Sequence, residues 1–199
     1  MELIIITGFL GSGKTTTILS VADQVIKRTG KRIAVIKNDF GKVGIDAKVL
    51  KRGGLTVQEM PSGCICCTLE ADFLETLTEV VNTITPDIVL VEPSGIANPK
   101  NIIAAMGEYA GPPFRRTRTM TILDIVRFRK VLGSFPGPIG DQIDVADIVL
   151  VNKIDEVDRE QVDDALAFLE RRGIDVPVIP TSVLKGTNLD RVVEELVRA

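Results

Sequence analysis

The sequence has no histidine and no tryptophan, and one tyrosine among its 199 residues. Without histidine, a proton relay or metal site must draw on Cys, carboxylate, Lys or backbone groups. Ser-His-Asp triads and every His-based zinc enzyme are excluded. Neither sign of charge is in excess: 24 Lys+Arg against 27 Asp+Glu give a formal −3. A strongly basic nucleic-acid coat and an acidic solvating tail are therefore excluded. No apolar run approaches ~18 residues. The stretch Met1-Glu2-Leu3-Ile4-Ile5-Ile6-Thr7-Gly8 carries an acid, no basic residue and an early glycine, so it reads as neither signal peptide nor membrane span. Cysteine is confined to Cys64, Cys66 and Cys67. An odd, clustered set is a poor disulfide framework, because neighbours rarely meet bridge geometry. The expectation is a cytoplasmic protein with reduced thiols and no nucleic-acid or membrane partner.

What is present is an ordinary globular composition, 45% hydrophobic and 26% charged. Short β-branched runs alternate with helix-length segments. The runs are Leu3–Thr7, Arg32–Lys37, Asp87–Val91, Met120–Leu123, Asp147–Val151 and Val176–Pro180. Several are continuously apolar, as in parallel strands buried on both faces. Helical periodicity fits residues 14–29, 69–84, 98–108, 159–172 and 188–198. The alternation predicts a doubly wound α/β domain. Gly111-Pro112-Pro113 and the stretch from Gly133 to Gly140 read as surface loops.

Gly8-Phe9-Leu10-Gly11-Ser12-Gly13-Lys14-Thr15 matches the phosphate-loop pattern G-x-x-x-x-G-K-[ST] in full, between a buried strand and a helix. Glycines let backbone N–H groups wrap a phosphate, and the helix N-terminus adds its dipole. Gly11, Ser12, Gly13, Lys14, Thr15 and Thr16 are the candidate phosphate contacts. Lys14 reaches the β- and γ-phosphates, and the Thr15 hydroxyl suits Mg²⁺. The fold class that follows is a three-layer α/β P-loop NTPase with a mostly parallel central sheet.

Asn152-Lys153-Ile154-Asp155 follows the run Asp147–Val151. The carboxylate of Asp155 can accept guanine N1–H and N2–H, donors that adenine lacks on that edge. The Lys153 stem can cover the base while Asn152 fixes the loop. Ser182, Val183 and Leu184 follow the next strand, where backbone N–H groups would face guanine O6; the alternative there is a plain turn. Strand 87–91 delivers Glu92-Pro93-Ser94-Gly95. Glu92 is the second magnesium candidate, and Gly95 can bring a backbone N–H to a γ-phosphate. Asp39, in Asn38-Asp39-Phe40-Gly41, is a further acidic candidate near Mg²⁺ or the attacking water; its alternative is an ordinary turn. No Gln stands beside Gly95, so slow turnover is expected.

Gly63-Cys64-Ile65-Cys66-Cys67 concentrates thiolates, which favour Zn²⁺, Cu⁺ and similar ions. Three ligands leave a fourth position open, which suits transfer better than permanent structure. A redox-active pair and inert buried cysteines are the alternatives. Arg115-Arg116-Thr117-Arg118 and Arg127-Phe128-Arg129-Lys130 read as solvated faces or docking surfaces.

Taken together and in this order, the five motifs resemble the GTPase domain of CobW-like metallochaperones, relatives of the nickel-insertion GTPases of hydrogenase and urease maturation. The resemblance implies Mg²⁺-dependent hydrolysis of GTP to GDP and phosphate, with Lys14, Asp39 and Glu92 as its catalytic residues. It also implies a transition metal at Cys64, Cys66 and Cys67, Zn²⁺ first with Co²⁺ or Ni²⁺ as the others. A client metalloprotein would receive the metal, and a homodimer would depend on GTP or metal. Where the family usually has Asn-Glu-Phe-Gly, this chain has Asp39, which keeps the charge but moves it. Larger members continue into a second domain and often a His-rich stretch; here one GTPase domain over residues 1–199 is expected, with no separate C-terminal domain. The competing function is a regulatory GTP-switch module whose cysteines are redox-sensing or structural.

Overall fold

Glu2–Thr7 (β1) is buried along its whole length and runs through the middle of an eight-stranded sheet. The computed structural model describes residues 1–37, 50–52, 54–59, 69–95 and 97–198. Asp39 and the cysteines Cys64, Cys66 and Cys67 lie outside the described residues. After β1 come Lys14–Thr29 (α1), Ile33–Lys37 (β2), Leu50–Arg52 (β3), Leu55–Glu59 (β4), Leu69–Ile84 (α2) and Ile88–Glu92 (β5). Pro99–Ala105 (α3), Arg116–Asp124 (β6), Phe128–Ser134 (α4), Pro136–Asp144 (α5) and Ile148–Asn152 (β7) follow. Arg159–Arg171 (α6), Val178–Pro180 (β8) and Leu189–Val197 (α7) complete it.

The strand order is β3-β4-β2-β5-β1-β6-β7-β8. Among the described residues, every strand pairing is parallel except β3 with β4. The mostly parallel sheet expected from the buried runs is therefore present. Alternate residues of β1 point to opposite faces: Ile4 and Ile6 meet α1 and α7, while Leu3 joins the α2 side. A third cluster packs α4, α5 and α6 against β6 and β7. These helices cover both faces, which gives the three layers.

Two expectations need correction. The stretch 133–140 is not a loop: it falls in α4 and α5, apart from Phe135 at the junction between them. Pro136 and Pro138 sit in the first turn of α5, where the missing N–H has no intrahelical acceptor to lose. The hairpin β3–β4 was not anticipated, although Gly53-Gly54 between its strands is a turn signal.

Nor is Arg118 a solvated residue. It opens the buried part of β6 and is 4% exposed. Its guanidinium donates to the carbonyls of Glu195 and Leu196 at 2.6 Å each, and it pairs with buried Glu2 at 3.4 Å. It thereby satisfies orphan carbonyls at the end of α7 and pins that helix beside α1. Arg118→Met should lower unfolding stability by about 3 kcal/mol in urea titration, because it leaves two carbonyls without their donor and removes one of the cations paired with buried Glu2, which keeps Arg115 at 2.7 Å. A loss below about 1 kcal/mol would show that α7 docks without it.

Candidate functional site

Five strands deliver polar residues or turns to one edge of the sheet, the carboxyl end, where open α/β sheets place their ligands. Strand β1 runs into the loop 8–13, β5 ends in Glu92, β6 in Asp124 and β7 in Asn152, while β8 leads to Thr181.

The loop 8–13 feeds directly into α1. That helix has no side-chain cap at its N-terminus and no acidic residue in its first turn. Its leading N–H groups and dipole face the loop, an arrangement that attracts anions. Lys14 folds back across the loop, with Nζ 2.9 Å from the Gly8 carbonyl and 3.4 Å from that of Phe9. Thr15 Oγ1 donates to Glu92 Oε1 at 2.8 Å, so the two oxygen donors expected to share a cation are already adjacent. The hydroxyl of Ser12 is fully buried in the loop and has no hydrogen-bond partner among the described residues.

Asn152 joins this loop to its neighbours. Its amide donates to the Ser12 carbonyl at 2.9 Å, and its Oδ1 accepts from the Val183 N–H at 3.2 Å and from the Thr181 hydroxyl at 3.5 Å. Gly13 lies beneath it at φ 98°, and a Cβ there would come within 2.5 Å of Asn152 Nδ2. Only glycine fits. Lys153 follows in the left-handed region at φ 68°, which turns the chain so that Asp155 stands exposed on the rim. In the turn after β8, the N–H groups of Ser182, Val183, Lys185 and Gly186 are all engaged. Among the described residues, that of Leu184 has no partner.

A residue that sequence reasoning missed lies between these loops. Asp124, 7% exposed, accepts from Lys153 Nζ at 2.7 Å and from Arg127 Nε at 2.8 Å. Arg127 in turn donates to the Leu10 carbonyl at 2.7 Å. Its guanidinium is thus a brace between β6 and the phosphate loop rather than a free surface charge. Asp124 sits at the carboxyl end of a buried strand, the same signal that picked out Glu92, but the expected strand stopped at Leu123. Thr16 is exposed on α1, and Gly95 lies against the loop. Of the expected site residues, Gly11, Ser12, Gly13, Lys14, Thr15, Thr16, Glu92, Gly95, Asn152, Lys153, Asp155, Ser182, Val183 and Leu184 all lie along this edge.

The CobW/HypB/UreG nucleotide-binding domain profile matches residues 2–174. The chain belongs to this family. It is 34% identical over 176 residues to the zinc chaperone YeiR of Escherichia coli, covering 88% of this chain and 53% of YeiR. The chain spans about half the length of the curated relatives that it matches over most of its own length. Among solved structures, nickel-bound HypB of Helicobacter pylori aligns with a TM-score of 0.65 at 17% identity, over 98% of this chain and 85% of that one. Zn(II)-bound YjiA GTPase of E. coli gives 0.59 at 24% identity, over 84% and 54%. The likeness to these two establishes the P-loop fold.

Burial pushes the Asp124 carboxyl up, but the hydrogen bonds and charges of Lys153 and Arg127 outweigh it and hold its pKa below the usual carboxylate range. A depressed folded-state pKa stabilises above the unfolded value and is lost as pH falls through the folded one. The stability difference between wild type and Asp124→Asn should therefore be constant from pH 7 to 5. It should shrink below about pH 4. Thermal unfolding across that range checks it; a gap that widens on acidification contradicts the pairing.

Proposed function

We propose that the protein is a GTP-hydrolysing metallochaperone module: it binds GTP at the carboxyl edge of the sheet and couples the nucleotide to a transition metal held by Cys64, Cys66 and Cys67. The observation that carries the nucleotide half is Asn152, whose one side chain ties the phosphate loop to the turn after β8. Such a tie keeps a phosphate cradle and a guanine rim at fixed separation, as a guanine nucleotide requires. The buried Ser12 hydroxyl and the open N-terminus of α1 fit a phosphate group. In this reading Asp155 supplies the acceptor for guanine N1–H and N2–H, Leu184 offers an N–H for O6, and the Lys153 stem would cover the base. Lys14 stabilises charge that develops on the β- and γ-phosphate oxygens as the bond to the leaving GDP breaks.

A hydroxyl and a carboxylate are hard oxygen donors of the kind Mg²⁺ selects. Thr15 and Glu92 would hold that ion, which when bound neutralises phosphate charge. Asp39 is proposed as the second acidic group of the site. The chain has no histidine and no glutamine stands beside Gly95 in sequence, which fits slow intrinsic turnover.

For the metal, support comes from the cysteine chemistry and from relatives such as YeiR, named as a zinc chaperone. Among the described residues no group of three metal-ligating side chains occurs, so the cysteine segment is the proposed site. Zn²⁺ is the proposed cargo, with a client metalloprotein as its recipient and a homodimer favoured by GTP or metal. Among the described residues, no helix is long and apolar enough to cross a membrane.

The test is a Zn²⁺ titration of wild type and of the Cys64→Ser, Cys66→Ser, Cys67→Ser triple variant, each with and without a non-hydrolysable GTP analogue. Wild type should bind one high-affinity equivalent that the triple variant lacks, and the analogue should shift that affinity about tenfold. Equal stoichiometry in the two proteins removes the cysteine site. An affinity indifferent to the analogue removes the coupling.

A further inference from the structure

The segment Glu92-Pro93-Ser94-Gly95 ends against the phosphate loop. A Cβ on Gly95 would lie 2.6 Å from the Leu10 nitrogen and 3.1 Å from the Phe9 carbonyl carbon. Backbone therefore rests on backbone at the mouth of the cradle, where the Leu10 side chain is 81% exposed. What holds Gly95 there comes from a helix distant in sequence. Gln142, on α5, is 1% exposed, and its Nε2 donates to the Gly95 carbonyl at 3.2 Å.

Gln142 is itself fixed from the sheet. Its main-chain carbonyl accepts from the Thr121 hydroxyl at 2.6 Å, and that hydroxyl meets the hydroxyl of Thr7, at the end of β1, at 2.9 Å. Its side-chain Oε1 is buried and has no hydrogen-bond partner among the described residues. A leucine or methionine would fill the same space without burying a polar atom that finds no partner. The packing of α5 therefore gives no reason for an amide at this position. The contact with Gly95 does.

We propose that Gln142 is a positioning residue that holds Gly95 so that its backbone meets the terminal phosphate of GTP, and thereby separates GTP from GDP. The inference rests on the GTP reading above. Fixing the Gly95 carbonyl fixes the orientation of that residue's backbone before the ligand arrives, so the ordering cost is not charged to binding. GDP has no group at that position and gains nothing from it. Nothing in the local sequence marks this role: Gln142 is 47 residues from Gly95 and reaches it only because α5 packs over the same sheet edge.

The experiment compares affinities for a non-hydrolysable GTP analogue and for GDP in wild type, Gln142→Met and Gln142→Leu. Loss of one neutral hydrogen bond should lower the analogue-to-GDP affinity ratio about fivefold in both variants. Gln142→Leu removes the donor with a second apolar shape and no buried charge, so it serves if Gln142→Met proves too unstable. Thr121→Val is the structural control, because it removes the bond to the Gln142 main chain and leaves the amide in place. It should lower the melting temperature while keeping the wild-type ratio. An unchanged ratio in the Gln142 variants, or an equal change in Thr121→Val, overturns the proposal. If wild type binds neither nucleotide, the GTP reading fails first and this inference falls with it.

Discussion

The site depends on one buried amide. Asn152 donates to the Ser12 carbonyl and accepts from Thr181 and Val183, so three of its four hydrogen-bonding positions are filled by two different loops. Both loops would otherwise be free to move against each other, since each leaves the sheet from a different strand. Leaving a buried polar group unpaired costs about 1–3 kcal/mol, so neither loop can drift without exposing that penalty. Gly13 makes the contact possible, because any side chain there would occupy the space of the amide. The separation between the loop 8–13 and the turn after β8 is thereby fixed.

Around that fixed point, charge is arranged to face the ligand without repelling it. Lys14, Lys153 and Arg127 all lie along the same edge. Asp124 pairs with both of the last two and offsets one of their two charges, and Arg127 reaches on to the Leu10 carbonyl. Lys14 is tied to loop carbonyls, where an anion can draw it forward. On the opposite side, Glu92 and Thr15 share a hydrogen bond that a hard cation would replace with shared coordination. The same residues that stabilise these loops are therefore the ones a nucleotide would recruit.

Much of this was legible in the sequence because it is local. Gly8 to Thr15 encodes a strand, a turn and a helix start within eight positions, and Asn152 to Asp155 gains meaning from the buried strand before it. The continuous apolar runs specified a sheet covered on both faces. What failed to show was either non-local or disguised. Prolines 136 and 138 read as loop breakers until their place in a first helical turn made them harmless. Arg118 and Arg127 read as surface charge, because no local pattern reveals that one closes a helix end and the other a phosphate loop. Asp124 and Gln142 act across 29 and 47 residues, to Lys153 and Gly95 respectively, and only the packed sheet edge brings them to their partners. Asp39 and the three cysteines lie outside the described residues, so their roles rest on sequence chemistry.

The central claim is that this edge is a guanine-selective nucleotide site. Displacement of a fluorescent GDP derivative from the wild-type protein by GTP and by ATP tests it most directly. GTP should displace the probe at a concentration about 100-fold lower than ATP, because adenine leaves the Asp155 carboxylate and the Leu184 N–H unpaired. Displacement by both nucleotides at the same concentration would contradict the guanine assignment, and displacement by neither would contradict the site.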